Sequence, residues 1–286
     1  MQSSNPVFRR AEGFNGRPST NTYGNQTYPA SGMSYPAYGT STATGGEPHV
    51  REPRTVRGPM TIDSVVQKTG ATLGVLLVVA GLTWAMTGDL TGSTATSSVR
   101  SLYLLSMVGA VGGFALSLVN SFKRDVSPAL VLAYAAFEGL FVGAFSKVVG
   151  IWAGDGAVAG AVLGTVGAVA GTLAAYRFFN IRVGDRFRKW VVGAMFGFVA
   201  VSLLDFVLGL FHSSFGFNGF GPMGVLSSFI GLGLGVLMLI LDFDFVERGI
   251  AAGLPERESW RAAFGLTVTI IWIYVELLRI IASFRN

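Results

Sequence analysis

The sequence predicts an all-α membrane protein, in which a seven-transmembrane-helix bundle follows a disordered N-terminal tail. Three observations support this prediction. The 286 residues are 51% hydrophobic and only 13% charged, whereas soluble domains carry about 25% charged residues. Seven apolar runs, each long enough to cross the hydrocarbon core of a bilayer, follow one another after residue 60. The residues before them contain few aliphatic side chains.

Residues 1–59 are rich in Ser, Thr, Asn, Gly, Pro and Tyr. Because such a composition cannot bury a core, we predict a disordered cytoplasmic tail. Residues 60–286 then form the membrane domain, which begins with an amphipathic lead-in at Thr61–Lys68. The seven spans are predicted at Thr69–Thr87, Ser101–Asn120, Ser127–Val148, Gly156–Phe179, Trp190–Phe211, Gly224–Val246 and Ala262–Ala282.

Basic residues alternate between the connections and predict the orientation of the chain. The N-terminal flank and the second, fourth and sixth connections carry most of the arginines and lysines. The positive-inside rule therefore places the N-terminus in the cytoplasm and the C-terminus outside, which an odd number of spans also requires. We expect a multi-pass protein of the cell membrane whose main partner is the lipid bilayer. The formal charge of +5 does not call for a nucleic-acid partner.

Several kinds of chemistry are excluded or disfavoured. The chain has no cysteine, and its two histidines, His49 and His212, are too far apart for a helical metal motif. We therefore predict no catalytic residues, no resident metal or cofactor and no enzymatic activity. An intramembrane aspartyl protease would need two acids within the membrane, but the usual glycine–any–glycine–aspartate arrangement is missing.

The stretch Met223–Gly249 is apolar for roughly twenty residues and then ends on Asp242 and Asp244. A carboxylate in a span costs about 2.5–3.5 kcal/mol on insertion scales and usually faces the protein interior. Asp242 therefore is the first candidate for a proton-sensing or gating residue, and Asp244, on another face, is the second. Helical steps back from Asp242 reach a stripe of small residues that lets helices approach closely: Gly235, Gly231, Ser228 and Gly224.

Three further acids fall within predicted spans and are candidates for an ion pathway or for buried acids: Glu138, Asp205 and Glu276. Arg279 follows Glu276 by one helical turn, so we predict a local ion pair. Asp205 lies on a polar stripe that fits either a partly hydrated path or a buried, hydrogen-bonded aspartate. Glu138 has no basic residue one turn away, and two following glycines would let another helix cover it.

These acids suggest a dependence on pH. A carboxylate held among packed helices is desolvated, which favours its neutral form, and two acids brought together share one proton. We therefore expect the cytoplasmic pH to set how helices six and seven pack. Acid favours a neutral, closed arrangement, and deprotonation loosens it because a buried charge repels its neighbours or demands water.

Four features together resemble the Bax inhibitor (transmembrane Bax-inhibitor-motif) family. They are the seven-span layout, FEGLFVG in span three, LDFDFVERG at the end of span six and ELLRIIA in span seven. The resemblance covers about Val65 to the end of the chain and not the tail, whose composition is similar to that of the bacterial, actinobacterial branch. It implies a central seventh helix and a pH-sensitive calcium leak, with Ca²⁺ as a transient ligand.

The resemblance also implies a latch in which aspartates of spans six and seven share a proton. The first matches Asp242, or Asp244 if the register slips. Aligning on Leu277-Leu278-Arg279 places Thr269 where the second aspartate is expected, and threonine cannot ionise. Two alternatives follow: either Thr269 hydrogen-bonds Asp242 as a neutral partner, or Glu138 serves as the second acid.

The leading hypothesis is therefore a pH-modulated calcium or cation leak channel of the cell membrane, gated by a buried aspartate on the sixth span. The alternative is a non-conducting membrane regulatory protein that binds membrane proteases or other membrane complexes. Equal ion leakage at every pH from the wild type and from an Asp242→Asn variant would contradict the first hypothesis.

Overall fold

The structure is a computed structural model that describes residues 58–87, 95–179 and 181–285, without the side chains of residues 95–97 and 155. Each of the seven helices in these ranges is long and apolar enough to cross a membrane, so the predicted fold class is confirmed. The predicted tail, apart from Gly58 and Pro59, lies outside the described residues. The helices are α1 Ile62–Met86, α2 Ala95–Phe122, α3 Pro128–Ala153, α4 Asp155–Phe178, α5 Asp185–Leu210, α6 Pro222–Ala251 and α7 Glu258–Arg285.

Most helices extend beyond the apolar runs that predicted them. The predicted lead-in is the beginning of α1, where the Thr61 hydroxyl accepts a hydrogen bond from the Ser64 amide in a capping box. Helix α5 begins at Asp185, five residues before the predicted span. Hydropathy marks the part of a helix that lies in hydrocarbon, whereas backbone hydrogen bonding continues into the polar interface, so the two sets of bounds differ.

Helix α7 lies at the centre of the bundle, as the resemblance implied. It contacts α1, α3, α4 and α6, and most of its residues are buried. Within the described residues, α2 packs mainly against α3 and α5 mainly against α6, although the Phe198 ring of α5 also lies 5.5 Å from the Trp272 ring of α7. These two peripheral helices expose large apolar side chains along their length, as expected for helices that face lipid.

Glycines in α3 allow α1 to pack directly against it. A Cβ atom built on Gly139 would lie 2.7 Å from the Leu76 carbonyl oxygen, and one built on Gly143 would lie 2.6 Å from the Ala80 carbonyl oxygen. Real Cβ atoms do not approach backbone oxygens so closely. Both positions therefore require glycine, and they fix α1 across the middle of α3.

The glycine stripe of α4 packs only along its first half. Cβ atoms built on Gly160 and Gly164 would meet side chains of α7 at 3.3 and 3.2 Å, respectively, whereas Gly167 and Gly171 have no such neighbour within 4 Å. The second half of this stripe therefore does not pack closely against any described helix. Sequence spacing places four glycines on one face, but it does not show how far the partner helix follows that face.

The segment before α1 is attached to the connection between α6 and α7. The Met60 amide donates to the Leu254 carbonyl (2.7 Å), and the Glu256 amide donates to the Gly58 carbonyl (2.9 Å). The Met60 side chain is buried, and Lys68 forms an ion pair with Glu256 at 3.0 Å. The point where the chain enters the bundle is thus held beside the connection that precedes α7.

Candidate proton-sensing site between helices α6 and α7

The small-residue stripe of α6 forms its contact with α7. A Cβ atom built on Gly235 would lie 2.9 Å from Ile273 Cγ1, and one built on Gly231 would lie 2.7 Å from Glu276 Oε1. The absence of side chains therefore brings the two helices close together. All four predicted members of the stripe are buried, which confirms that it is a packed face: Gly224, Ser228, Gly231 and Gly235.

Asp242 lies on the same side of α6 and meets α7 directly. Its Oδ2 atom accepts a hydrogen bond of 2.6 Å from the Thr269 hydroxyl. A Cβ atom built on Gly265, one turn before Thr269, would lie 3.4 Å from Oδ1, so the carboxyl group rests over a position without a side chain. Asp242 is partly buried and Thr269 is buried. The hydrogen bond expected for a neutral threonine partner is present.

The Thr269 hydroxyl can donate its single hydrogen to either of two acceptors. Besides the contact with Asp242, Thr269 Oγ1 lies 3.2 Å from the Gly265 carbonyl oxygen. A hydroxyl both donates and accepts. When Asp242 is charged, Thr269 donates to it; when Asp242 is neutral, the carboxyl group donates to Thr269, which turns its hydrogen to Gly265. The two residues therefore stay bonded in both protonation states.

Asp244 has a different environment from Asp242. It is buried, its Oδ2 atom lies 3.0 Å from Arg188 Nη2 of α5, and it also pairs with Arg248 one turn further along α6. Two guanidinium groups thus neutralise its charge, and the pair with Arg188 connects α5 to α6. Of the two aspartates that the resemblance left open, Asp242 is the one that contacts Thr269.

Glu138 does not join this site. A Cβ atom built on Gly113 of α2 would lie 2.6 Å from Glu138 Oε1, and the Tyr134 hydroxyl interacts with the same carboxyl group from the preceding turn of α3. Helices α3 and α6 do not touch within the part of the chain that the structure describes. The alternative in which Glu138 is the second acid beside Asp242 is therefore wrong. Helix α2 covers Glu138. Gly139 and Gly143, which were expected to admit the covering helix, face α1 instead.

Glu276 and Arg279 form the predicted local ion pair, with 2.9 Å between Glu276 Oε2 and Arg279 Nη1, and both side chains are buried. Arg279 also donates through Nη2 to the carbonyls of Phe217 (2.9 Å) and Gly219 (3.3 Å). Arg279 thereby holds the α5–α6 loop against α7. Sequence reasoning missed this second role, because nothing in the spacing connects residues about sixty positions apart.

Asp205 is a buried, hydrogen-bonded aspartate, the second of the two alternatives predicted for it. Its Oδ1 atom accepts from the amides of Phe215 (2.8 Å) and Gly216 (3.2 Å), and its Oδ2 atom accepts from the amide of Asn218 (2.8 Å). The carboxylate therefore organises the α5–α6 loop. Gly216 and Asn218, which are residue types typical of turns, were the signal in the sequence for such a loop.

Apolar side chains separate the two polar groups of the α6–α7 interface. Ile273 and Trp272 fill the space against Gly235, and Leu239 is fully buried. The Trp272 indole also donates to the Gly231 carbonyl at 2.9 Å, which leaves its ring fixed between the helices. Asp242 and Thr269 thus lie on one side of an apolar layer, and Glu276 lies on the other.

Comparison with known families agrees with the motifs. A family model described as Bax inhibitor 1 like matches residues 5–286 of the chain, which includes all seven helices. The match begins sixty residues before Val65, so the expectation that the resemblance leaves out the tail is wrong. A search of curated proteins finds no match to the chain.

Proposed function

The chain belongs to the Bax inhibitor 1 like family, and from this premise we propose that it is a pH-modulated calcium or cation leak pathway. The Asp242–Thr269 hydrogen bond of 2.6 Å carries the proposal. It joins the sixth helix to the central seventh helix through a group that can gain or lose a proton. The protein has no catalytic role in this proposal, and Ca²⁺ is the transported ion.

Protonation of Asp242 favours the closed arrangement in this mechanism. A neutral carboxyl group satisfies its hydrogen bond to Thr269 and leaves no charge among packed helices. A charged Asp242 keeps that bond, but it makes no ion pair with any described residue. An unpaired charge in such a place is costly unless water reaches it. Deprotonation therefore draws water between α6 and α7 and loosens the apolar layer.

Glu276 and Asp205 would bind the passing Ca²⁺ once the apolar layer between α6 and α7 opens. Carboxylate oxygens are the ligands that Ca²⁺ prefers, and acidic groups along a pore attract cations. Glu276 lies beyond the apolar layer, and Asp205 lies near the end of α5, beside the α5–α6 loop. In the closed arrangement the first is paired with Arg279 and the second accepts backbone hydrogen bonds, so both are occupied until the helices move.

The proposal includes an orientation and a location. Seven membrane-crossing helices and the family match make the chain a multi-pass membrane protein. We propose that it lies in the cell membrane with the N-terminus in the cytoplasm and the C-terminus outside. Asp242 then lies toward the cytoplasmic end of α6, where it would exchange protons with the cell interior.

Calcium flux in proteoliposomes tests the proposal. With a calcium dye inside the vesicles, the wild type should leak more as the pH rises from mildly acidic to mildly alkaline. Asp242→Asn cannot ionise, so its leak should stay low at every pH. Asp125→Asn is the control, because Asp125 lies on the surface and pairs with Arg257; it should follow the wild type. Equal leakage of the wild type and Asp242→Asn at every pH would contradict the proposal.

A second candidate is a non-conducting membrane regulator that binds a membrane protease or another membrane complex. The open face of α5 favours it. Cβ positions built on Gly193 and Gly197 have no neighbour within 4 Å, and small residues at this spacing permit close approach of a helix from another protein. Crosslinking in native membranes distinguishes the candidates: one stoichiometric protein partner together with no ion flux would favour the regulator.

A further inference from the structure

The connection between α4 and α5 concentrates positive charge. Residues 177–190 contain five basic residues and one acidic residue. One of the five, Arg188, pairs with Asp244. The other four are exposed and make no ion pair with any described residue: Arg177, Arg182, Arg186 and Lys189. This side of the bundle thus offers several cations that form no ion pair within the part of the chain that the structure describes.

Exposed aromatic side chains border this charge, and Phe178 and Trp190 are two of them. Phe178, at the end of α4, is 85% exposed, and Trp190, in the second turn of α5, is 79% exposed. Aromatic rings with this placement are typical of the level at which lipid headgroups meet hydrocarbon. We call the set the basic-aromatic patch and define it as Arg177, Phe178, Arg182, Arg186, Lys189 and Trp190.

The patch continues into a groove on α5. Residues 186, 189, 190 and 193 follow the spacing of one helical face. On that face an open groove of about 410 Å³ is lined by Lys189, Trp190, Gly193 and Ala194. A Cβ atom built on Gly193 would meet nothing within 4 Å. The small residues therefore leave room for hydrocarbon directly beside an ammonium group and an indole ring.

We propose that the basic-aromatic patch binds an anionic phospholipid of the surrounding bilayer. Arg186 and Lys189 take the phosphate, because their charges lie one turn apart on the face of the groove and form no ion pair with any described residue. The first part of an acyl chain lies in the groove over Gly193, against the Trp190 ring. Both halves of the ligand are thus matched: exposed cations for the headgroup, and an apolar groove for the chain.

The combination of exposed cations and an apolar groove favours an anionic phospholipid over other ligands. An anionic macromolecule in solution would match the cations, but it would not need two aromatic rings and an apolar groove within a membrane-crossing helix. A zwitterionic lipid would fill the groove without a net charge for Arg186 and Lys189. Binding should therefore depend on the lipid headgroup and weaken as salt screens the charges.

Quenching of Trp190 fluorescence by brominated lipids tests this inference on the full chain in detergent. The signal of Trp190 is isolated by subtracting the signal of a Trp190→Phe variant. Brominated phosphatidylglycerol should quench it at a lower mole fraction than brominated phosphatidylcholine. Each cation near an anionic lipid contributes about fivefold to binding. Replacing both cations, as in Arg186→Gln with Lys189→Gln, should therefore reduce the preference roughly 25-fold.

A charge-conserving pair, Arg186→Lys with Lys189→Arg, is the matched control and should keep the preference. Arg188 is left unchanged in all variants because it holds Asp244. Equal quenching by the two lipids in the wild type would overturn the inference, as would an undiminished preference in the glutamine variant. Displacement of the lipid by inorganic phosphate, beyond the displacement by sodium chloride at the same ionic strength, would also overturn it, because the patch would then be a site for free phosphate. Resistance to phosphate supports the bilayer lipid.

Discussion

The contact between Asp242 and Thr269 contains one ionisable group and can bind at most one exchangeable proton, whereas a pair of carboxyl groups can bind two. In a pair of acids, the charge of one group opposes ionisation of the other, so the titrations are coupled. Thr269 supplies only a hydroxyl group, which accepts from the neutral acid and donates to the charged one. The site therefore has one titrating group, and we expect a shallower response to pH than two acids would give.

Replacing Thr269 with aspartate should steepen the pH dependence of calcium flux. Asp242 and the new carboxyl group would lie within hydrogen-bond distance, and two nearby acids hold a shared proton that is lost in a coupled step. The measurement is calcium flux from proteoliposomes as a function of pH. Thr269→Ser retains the hydroxyl group and should keep the wild-type slope. A Thr269→Asp profile with an unchanged slope would show that the two positions do not act together.

Removing the Asp205 carboxylate should destabilise the α5–α6 loop. Asp205→Ala leaves the loop amides of Phe215, Gly216 and Asn218 without their acceptor. Since a hydrogen bond to a charged group contributes about 1.5–3 kcal/mol and these amides are partly buried, we expect the free energy of unfolding to fall by about 2–4 kcal/mol. Thermal unfolding in detergent measures the change, and faster proteolysis within residues 211–221 would place it in the loop. An Asp205→Ala protein as stable as the wild type would contradict this role.

At the scale of the helix, the face of α6 that carries Asp242 depends on the absence of side chains. Gly235 is buried against Ile273 and Trp272, whereas Gly233, on the other side of the same helix, has open space. One helix thus contains a glycine that packing requires and a glycine that packing does not. Sequence spacing distinguished these faces because the small residues recur at helical intervals before Asp242.

Gly235→Ala and Gly233→Ala form a matched pair that tests this packing. The new methyl group at position 235 would lie 2.9 Å from Ile273 Cγ1, so neighbouring side chains must shift, at a cost of about 1–3 kcal/mol. The methyl group at position 233 meets nothing, and alanine favours the helix over glycine. Thermal unfolding should therefore show a lower midpoint for the first variant and an equal or higher one for the second. The reverse order would contradict the observed packing.

The sequence predicted the helices better than it predicted their partners. Apolar runs identify what lies in hydrocarbon, so all seven spans were found, although their ends were not. The Glu276–Arg279 pair was predictable because both residues lie on one helix. Two other features depend on which helices touch. They are the hydrogen bonds from Arg279 to the α5–α6 loop and the separation of Glu138 from Asp242. That information is not contained in local spacing.

For the whole molecule, the orientation in the membrane can be measured because the chain contains no cysteine. Ser213→Cys lies in the α5–α6 loop, and Ala252→Cys lies at the end of α6; both positions are exposed. The distribution of basic residues predicts that the first loop faces outward and the second faces the cytoplasm. A membrane-impermeant maleimide should label Ser213→Cys in intact cells and Ala252→Cys only after permeabilisation. The opposite labelling would reverse the proposed orientation and place Asp242 toward the outside.

At this scale, composition alone predicted the class of the protein, and the motifs predicted its family. The candidate site was predicted in part. Asp242 and its packed face followed from helical spacing, and Thr269 followed from the resemblance. The neutralisation of Asp244 by Arg188 could not be predicted, because it requires knowing that the start of α5 lies beside the end of α6.

We propose that Asp242 exchanges a proton as the pH changes and that this exchange controls the α6–α7 contact. Infrared difference spectroscopy of the reconstituted protein observes the carboxyl group itself, and comparison with Asp242→Asn assigns the band to this residue. We predict a protonated-carboxyl band in acid that is absent from Asp242→Asn. In the wild type, the band should disappear with rising pH over the same range in which calcium flux increases. A band that does not change across that range, or that is missing at every pH, would contradict the claim.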